Sequence, residues 1–97
     1  MAKNSKFFPQ IGQVVSSKAG RDQGRIYLIA EILSDNRVRV VDGYVRRLEN
    51  PKLKNIKHLY FYPVVVEEIA EKLKSGQMVT NKGIRDAVLL YERDGGH

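Results

Sequence analysis

"VVSSKAGRDQGRIYLIAEIL", residues 14–33, holds two apolar runs separated by a loop with glycines at positions 20 and 24. Glycine takes positive φ without steric cost, so Gly20 and Gly24 permit a sharp reversal between two strands. The first strand-like run, IGQVVSSK, covers residues 11–18, and the second, RIYLIAEIL, covers residues 25–33. In the second, Ile26, Leu28, Ala30 and Ile32 alternate with Tyr27, Ile29, Glu31 and Leu33, and both sets are largely apolar. A strand with one wet face would alternate apolar with polar. This one predicts burial on two sides, one inside a curled sheet and the other beneath a later segment.

Downstream, Ser34-Asp35-Asn36 has the composition of a hairpin turn, and RVRVV, residues 37–41, sets Val38 and Val40 against Arg37 and Arg39 on the opposite face. Asp42-Gly43 fits a type I′ hairpin turn, which makes YVRRL, residues 44–48, a fourth strand. ENPKLKNIKH, residues 49–58, contains Pro51 and no strand period, so it reads as a basic loop with room for one helical turn. LYFY, residues 59–62, supplies a short fifth strand. Short strands joined by tight turns predict a small barrel, since closure removes exposed edges.

After Pro63 the period changes. Val66, Ile69, Ala70 and Leu73 fall on one helical face, with Glu67, Glu68 and Glu71 ahead of Lys72 and Lys74, and Gly76 beyond them. Thr80 suits the N-cap of a second helix, with Val79 and Ile84 at the staple positions and Ala87, Val88 and Tyr91 extending the stripe. Such short helices need a surface to cover, and the second apolar face of the sheet provides one. The expected fold is therefore mainly β with C-terminal helices. It comprises a flexible N-terminal arm at 1–9, an SH3-like barrel at 10–62, a helical extension at 63–92 packed on the barrel, and a frayed tail at 93–97. Phe7 and Phe8 in the arm either cover an apolar patch or dock into a larger assembly.

With 97 residues, of which 42% are hydrophobic, the chain can build one core and not two. It has no cysteine and only two histidines, which excludes disulfides and thiolate zinc sites. No apolar run approaches the ~20 residues of a membrane span, and the first residues lack an apolar signal segment, so the expected location is cytoplasmic. Residues 1–62 carry 12 Lys and Arg against 5 Asp and Glu, whereas residues 63–97 carry 5 against 6. Cations concentrated on one part of the chain favour a polyanionic partner over general solubility.

The segment SKAGRDQGRIYLIAEI resembles the KOW motif of several ribosomal proteins and transcription elongation factors. There a Gly-x-x-x-Gly turn joins the first two strands of an SH3-like barrel. Val14 and Val15, the turn Gly20-Arg21-Asp22-Gln23-Gly24, and Ile26 to Ile32 carry the likeness. Gln23 stands where many members have lysine. The likeness continues through VDGYVRRLENPKLKNIKHL, with NPK and KHL within residues 50–59 and VTN at 79–81, so that residues 11–92 look like small bacterial KOW-domain proteins related to a KOW-type large-subunit ribosomal protein. The resemblance implies RNA binding, with ribosomal RNA as the expected partner and ribosomal proteins as further ones.

The residues support that expectation on their own terms. A glycine-rich turn offers backbone N–H donors to a phosphate while Lys18, Arg21 and Arg25 supply charge; equally, Gly20 and Gly24 serve the turn itself. Arg46, Arg47, Lys52, Lys54 and Lys57 form a second basic group. Tyr44 or His58 could stack on an unpaired base, or His58 is a surface residue, with Leu53 and Ile56 pinning a solvated loop. Arg37 and Arg39 either bind or guard a sheet edge. Among Tyr60, Phe61 and Tyr62, alternation sends at least one into the core.

No nucleophile triad, H-E-x-x-H motif or carboxylate-rich metal cluster is present, so the chain reads as no enzyme, with no cofactor, metal site, small-molecule substrate or membrane partner. The alternatives to RNA binding are an SH3-like protein-interaction module and a transcription-linked KOW factor.

Overall fold

The computed structural model describes residues 9–95, with side chains through residue 92. Five antiparallel strands, β1 (Gln13–Ser17), β2 (Ile26–Ile32), β3 (Arg37–Val41), β4 (Lys52–Asn55) and β5 (Leu59–Val65), precede α1 (Glu67–Ser75) and α2 (Asn81–Gly95). They lie in the order β4-β3-β2-β1-β5, a four-strand meander with the last strand returning beside the first. The arm with Phe7 and Phe8 lies outside the described residues, and α2 runs to Gly95, into the stretch expected to fray.

β2 is buried on both faces over its first half, as its apolar pattern predicts. Ile26 and Leu28 pack with Val14, Val41, Ile69, Ile84 and Val88 beneath the helices. Tyr27 and Ile29 pack on the other side with Val15, Val38, Val40 and Leu59. Neither α1 nor α2 contributes to this second cluster, which is closed by Ile56 and Phe61 and by the curl of the sheet itself. The Lys54 ammonium on β4 donates to Ser17 Oγ on β1 at 2.9 Å, three strands away in the sheet order. In a flat sheet those strands would stand roughly 14 Å apart, beyond the reach of a lysine. The curl stops short of closure: β4 and β5 are the two ends of the sheet and do not pair. A short 3-10 helix, Ile56–His58, crosses between them, tied by Ile56 N–H to Asn36 O at 2.9 Å and by Lys18 N–H to His58 O at 2.8 Å.

Four expectations are corrected. YVRRL is not a strand, because Asp42 Oδ1 accepts from Tyr44 N and Arg46 N while Arg46 O accepts from Asp42 N and Gly43 N, drawing the segment into a loop. The fourth strand comes instead from the supposed basic loop. There Lys52 and Lys54 pair opposite Val40 and Val38, and Leu53 between them is half exposed, an inverted pattern that hides the strand from a polarity reading. The end of the second run is also exposed, with Ile32 and Leu33 each 40% accessible, since a bulge after Ile29 shifts the register against β3. β5 also continues past Pro63. Between paired positions Gln13–Val65 and Val15–Phe61, β5 uses more residues than β1, and on an edge strand the missing proline N–H is tolerated.

The helices follow the sequence closely. α1 has Glu67 and Glu68 in its first turn, Lys72 and Lys74 in its last, and stops at Gly76 with φ 77°. Thr80 Oγ1 accepts from Gly83 N–H at 3.0 Å, the N-cap bond of α2, and Val79 and Ile84 join the same core cluster. Gly43 seats α2 against the sheet: a Cβ there would collide with the Asn81 carbonyl and lie 2.6 Å from Arg85 N, and its φ is 75°.

Candidate nucleic-acid interface

The loop between β1 and β2 closes by Ser17 N–H to Arg25 O (3.0 Å) and Gly24 N–H to Ser17 O (2.8 Å), with Gly20 and Gly24 at φ 90° and 89°. Its acid turns inward. Asp22 Oδ2 accepts the Tyr27 hydroxyl at 2.6 Å, and Oδ1 accepts Ser17 Oγ at 2.8 Å and Lys54 Nζ at 3.1 Å. Lys52 Nζ adds a looser contact at 3.9 Å. Burial acts to raise the Asp22 pKa, but the bonds from Tyr27 and Ser17 and the charge of Lys54 outweigh it and hold the carboxyl well below the usual range. Burial, reinforced by the Asp22 carboxylate, pushes the Tyr27 phenol upward.

Lys18 and Arg21 are exposed on the outside of this loop and have no carboxylate partner among the described residues. The glycine turn itself is only partly available to an anion. The N–H groups of Gln23, Gly24 and Arg25 already serve Gly20 O, Ser17 O and Asp22 O, which leaves the N–H groups of Ala19 to Asp22 without an internal acceptor among the described residues.

The loop from Asp42 to Pro51 is organised by a second acid. Asp42 is fully buried and its Oδ1 holds the backbone of Tyr44 and Arg46. Oδ2 has no hydrogen-bond donor, and its charge is met by Arg25 Nη1 at 3.5 Å. Arg25 thus joins the two loops. Asn81 at the start of α2 accepts from Leu48 N–H and donates to Glu49 Oε1, both at 2.8 Å. The Asn81 bond, with the nearby Arg47 charge, lowers the Glu49 pKa. Arg47 makes a surface ion pair with Glu49 at 3.4 Å, and Arg46 has no acid within pairing distance among the described residues. Tyr44 is 65% exposed at the tip, with the Arg85 guanidinium 4.7 Å from its ring centre.

The fold therefore gathers most of the residues singled out from sequence. Lys18, Gly20, Arg21, Gly24 and Arg25 share one loop; Lys57 and His58 adjoin it through the Lys18–His58 backbone bond; Tyr44, Arg46 and Arg47 adjoin it through Arg25 and Asp42. Lys54 is the exception: it is 8% exposed, its ammonium is spent on Asp22 and Ser17, and it is a structural residue. Lys52 leans the same way. Arg37 and Arg39 guard no edge, because β4 pairs along β3, and Arg39 bonds Glu31 at 2.9 Å. Phe61 and Tyr62 pack against the two core clusters, whereas Tyr60 is exposed.

Two participants were invisible from sequence. Asp22 gave no local sign of its inward role, since its lysine partner lies 32 residues away. Arg85 sits in the acid-balanced C-terminal part and reaches Tyr44 only through the docking of α2. Among the described residues no group of three or more metal-ligating side chains converges, and no helix is long and apolar enough to cross a membrane. The chain matches no protein-family model, and no curated protein matches it.

Proposed function

We propose that this chain is a non-catalytic, cytoplasmic RNA-binding protein of the KOW type, contacting ribosomal or other structured RNA in the translation apparatus. The curled five-strand sheet, with a glycine-bounded first hairpin and a 3-10 crossing into β5, supports an SH3-like arrangement left open between β4 and β5. The observation that carries the functional reading is the surface set Lys18, Arg21, Arg46, Arg47 and Lys57, placed on loops tied to one another by backbone and ion-pair contacts. Arg47 is held only by an exposed pair, which costs little to open. Phosphates displace counterions from such a surface, which gives affinity with little base specificity.

Fluorescence anisotropy of a labelled structured RNA, titrated with the full chain at several salt concentrations, tests it. Engagement of these five cations gives log K falling with log salt at a slope of roughly −4, and a slope near zero rejects the mechanism.

A protein-interaction reading finds support in the two edge strands, which carry the exposed side chains Leu53 on β4 and Tyr60 on β5, 50% and 55% accessible. Charge reversal separates the two readings at Lys18, Arg21 and Lys57, which face solvent; at Lys54 it would disrupt the fold instead. Loss of RNA binding with an intact fold supports the first reading.

A further inference from the structure

From the Tyr44–Arg85 pair we infer that the surface selects RNA carrying an unpaired nucleotide, whose base stacks on the free face of Tyr44. This inference rests on the RNA-binding reading and specifies its substrate class. Tyr44 is 65% exposed, yet it is fixed from three directions. Its N–H is held by the buried Asp42 carboxylate at 2.9 Å, the neighbouring Gly43 is pressed against the backbone of α2, and the Arg85 guanidinium lies 4.7 Å from its ring centre. Arg85 is itself held by Glu92 at 3.3 Å. The first two contacts hold the backbone that carries the ring and the third restrains the ring itself, so the ring is a solvent-exposed plate with Arg85 over one face.

An exposed aromatic that swings freely loses entropy when it stacks; one already held in place does not. Among the two stacking candidates in the sequence, His58 lacks such support: its described tie is the backbone carbonyl bonded to Lys18. Val45, 54% exposed, widens the apolar tip, and Arg46 and Arg47 follow it directly in the chain, so a base on the plate has cations at hand for its own phosphates. A base within a duplex has both faces covered by its neighbours and cannot reach the plate, whereas a bulged base can be splayed onto it.

The test compares two labelled RNAs, a blunt duplex and the same duplex with a short unpaired bulge, by anisotropy at one salt concentration. The wild-type chain should bind the bulged RNA about tenfold more tightly, in line with the worth of base–aromatic stacking. Tyr44→Ala should remove that preference while leaving duplex affinity and the salt slope unchanged, and Tyr44→Phe should keep it, because stacking needs the ring and not the hydroxyl. Arg85→Gln should reduce the preference. Equal binding of both RNAs by the wild type, with a steep salt slope, overturns the stacking inference and leaves phosphate binding standing. Equal loss of both RNAs in a folded Tyr44→Ala chain also overturns it, by making Tyr44 a general contact. Failure of the wild type to bind either RNA rejects the RNA reading itself, and the stacking inference with it.

Discussion

Two loops of this protein each enclose one aspartate among cations, and they use it in opposite ways. Asp22 reaches into the concave side of the sheet and takes all its hydrogen bonds from side chains on β1, β2 and β4. Asp42 is more deeply buried but takes its hydrogen bonds from backbone N–H groups two and four residues ahead. The first acid holds distant strands together, and the second shapes its own loop. The contrast teaches that cations near an acid in sequence need not be its partners. Asp22 neutralises Lys54 from β4, leaving Arg21 beside it without an acid partner among the described residues, while Asp42 takes Arg25 from the other loop.

The Asp42 loop meets α2 through Gly43, and the strongest way to break the comparison is to block that contact. Gly43→Val combines a β-branched side chain at φ 75° with a backbone collision, and should destabilise the fold by about 4 kcal/mol in chemical denaturation. Gly24 has the same sign of φ, but a Cβ there meets nothing within 4 Å, so Gly24→Ala should cost only the backbone strain, about 1 kcal/mol. Similar losses at the two glycines would show that α2 does not dock where the structure has it.

Breaking the Asp22 cluster comes next in size. Asp22→Ala strands the Lys54 ammonium, which is 8% exposed, and removing one partner of such a pair costs about 3 kcal/mol. The double variant Asp22→Ala, Lys54→Met should recover part of the loss, since two apolar groups leave no buried charge behind. A double variant as weak as the sum of the singles would mean that the two residues act independently.

The same cluster predicts a dependence on pH. The Asp22 carboxyl titrates lower in the folded chain than in the unfolded one, so near its titration the unfolded state binds more protons and stability rises with pH. Its contribution is complete above about pH 4, the ordinary carboxylate value, and is lost progressively as the solution is acidified below it. Tyr27 acts at the other end: its phenol titrates higher when folded, so its contribution is full below about pH 10 and declines above. Asp22→Asn should flatten the acid limb of a melting-temperature profile, and an unchanged limb would place the sensitivity elsewhere.

What could be read from the sequence, and what could not, divides along the same line. The two-faced burial of β2, the stripe of α1 and the Thr80 cap depend on neighbours within a few residues, and their spacing announces them. β4 did not announce itself because its inward residues are lysines. Lys54 covers the concave core with its stem and meets Asp22 with its head, and that acceptor exists only once the sheet has curled. The candidate surface was legible as a list of cations on loops. Which of them face solvent was not, because the deciding acids lie 17 residues from Arg25 and 32 from Lys54.

Arg25 gives the smallest and sharpest test, since it belongs to one loop and serves the other. Its side chain is 37% exposed, so it could turn outward to a phosphate, but doing so would leave the buried Asp42 Oδ2 without any partner. That cost keeps it on Asp42. Arg25→Gln should therefore lower stability by about 2 kcal/mol, less than the Asp22 variant because the two backbone N–H bonds still satisfy the other oxygen. It should leave the salt slope of RNA binding where it was. Arg21→Gln should do the reverse, leaving stability unchanged and making the slope shallower by about 0.7 to 0.9, the share of one phosphate contact. If Arg25→Gln also flattens the slope, Arg25 exchanges Asp42 for phosphate on binding, and the division between structural and RNA-facing cations runs through a single side chain.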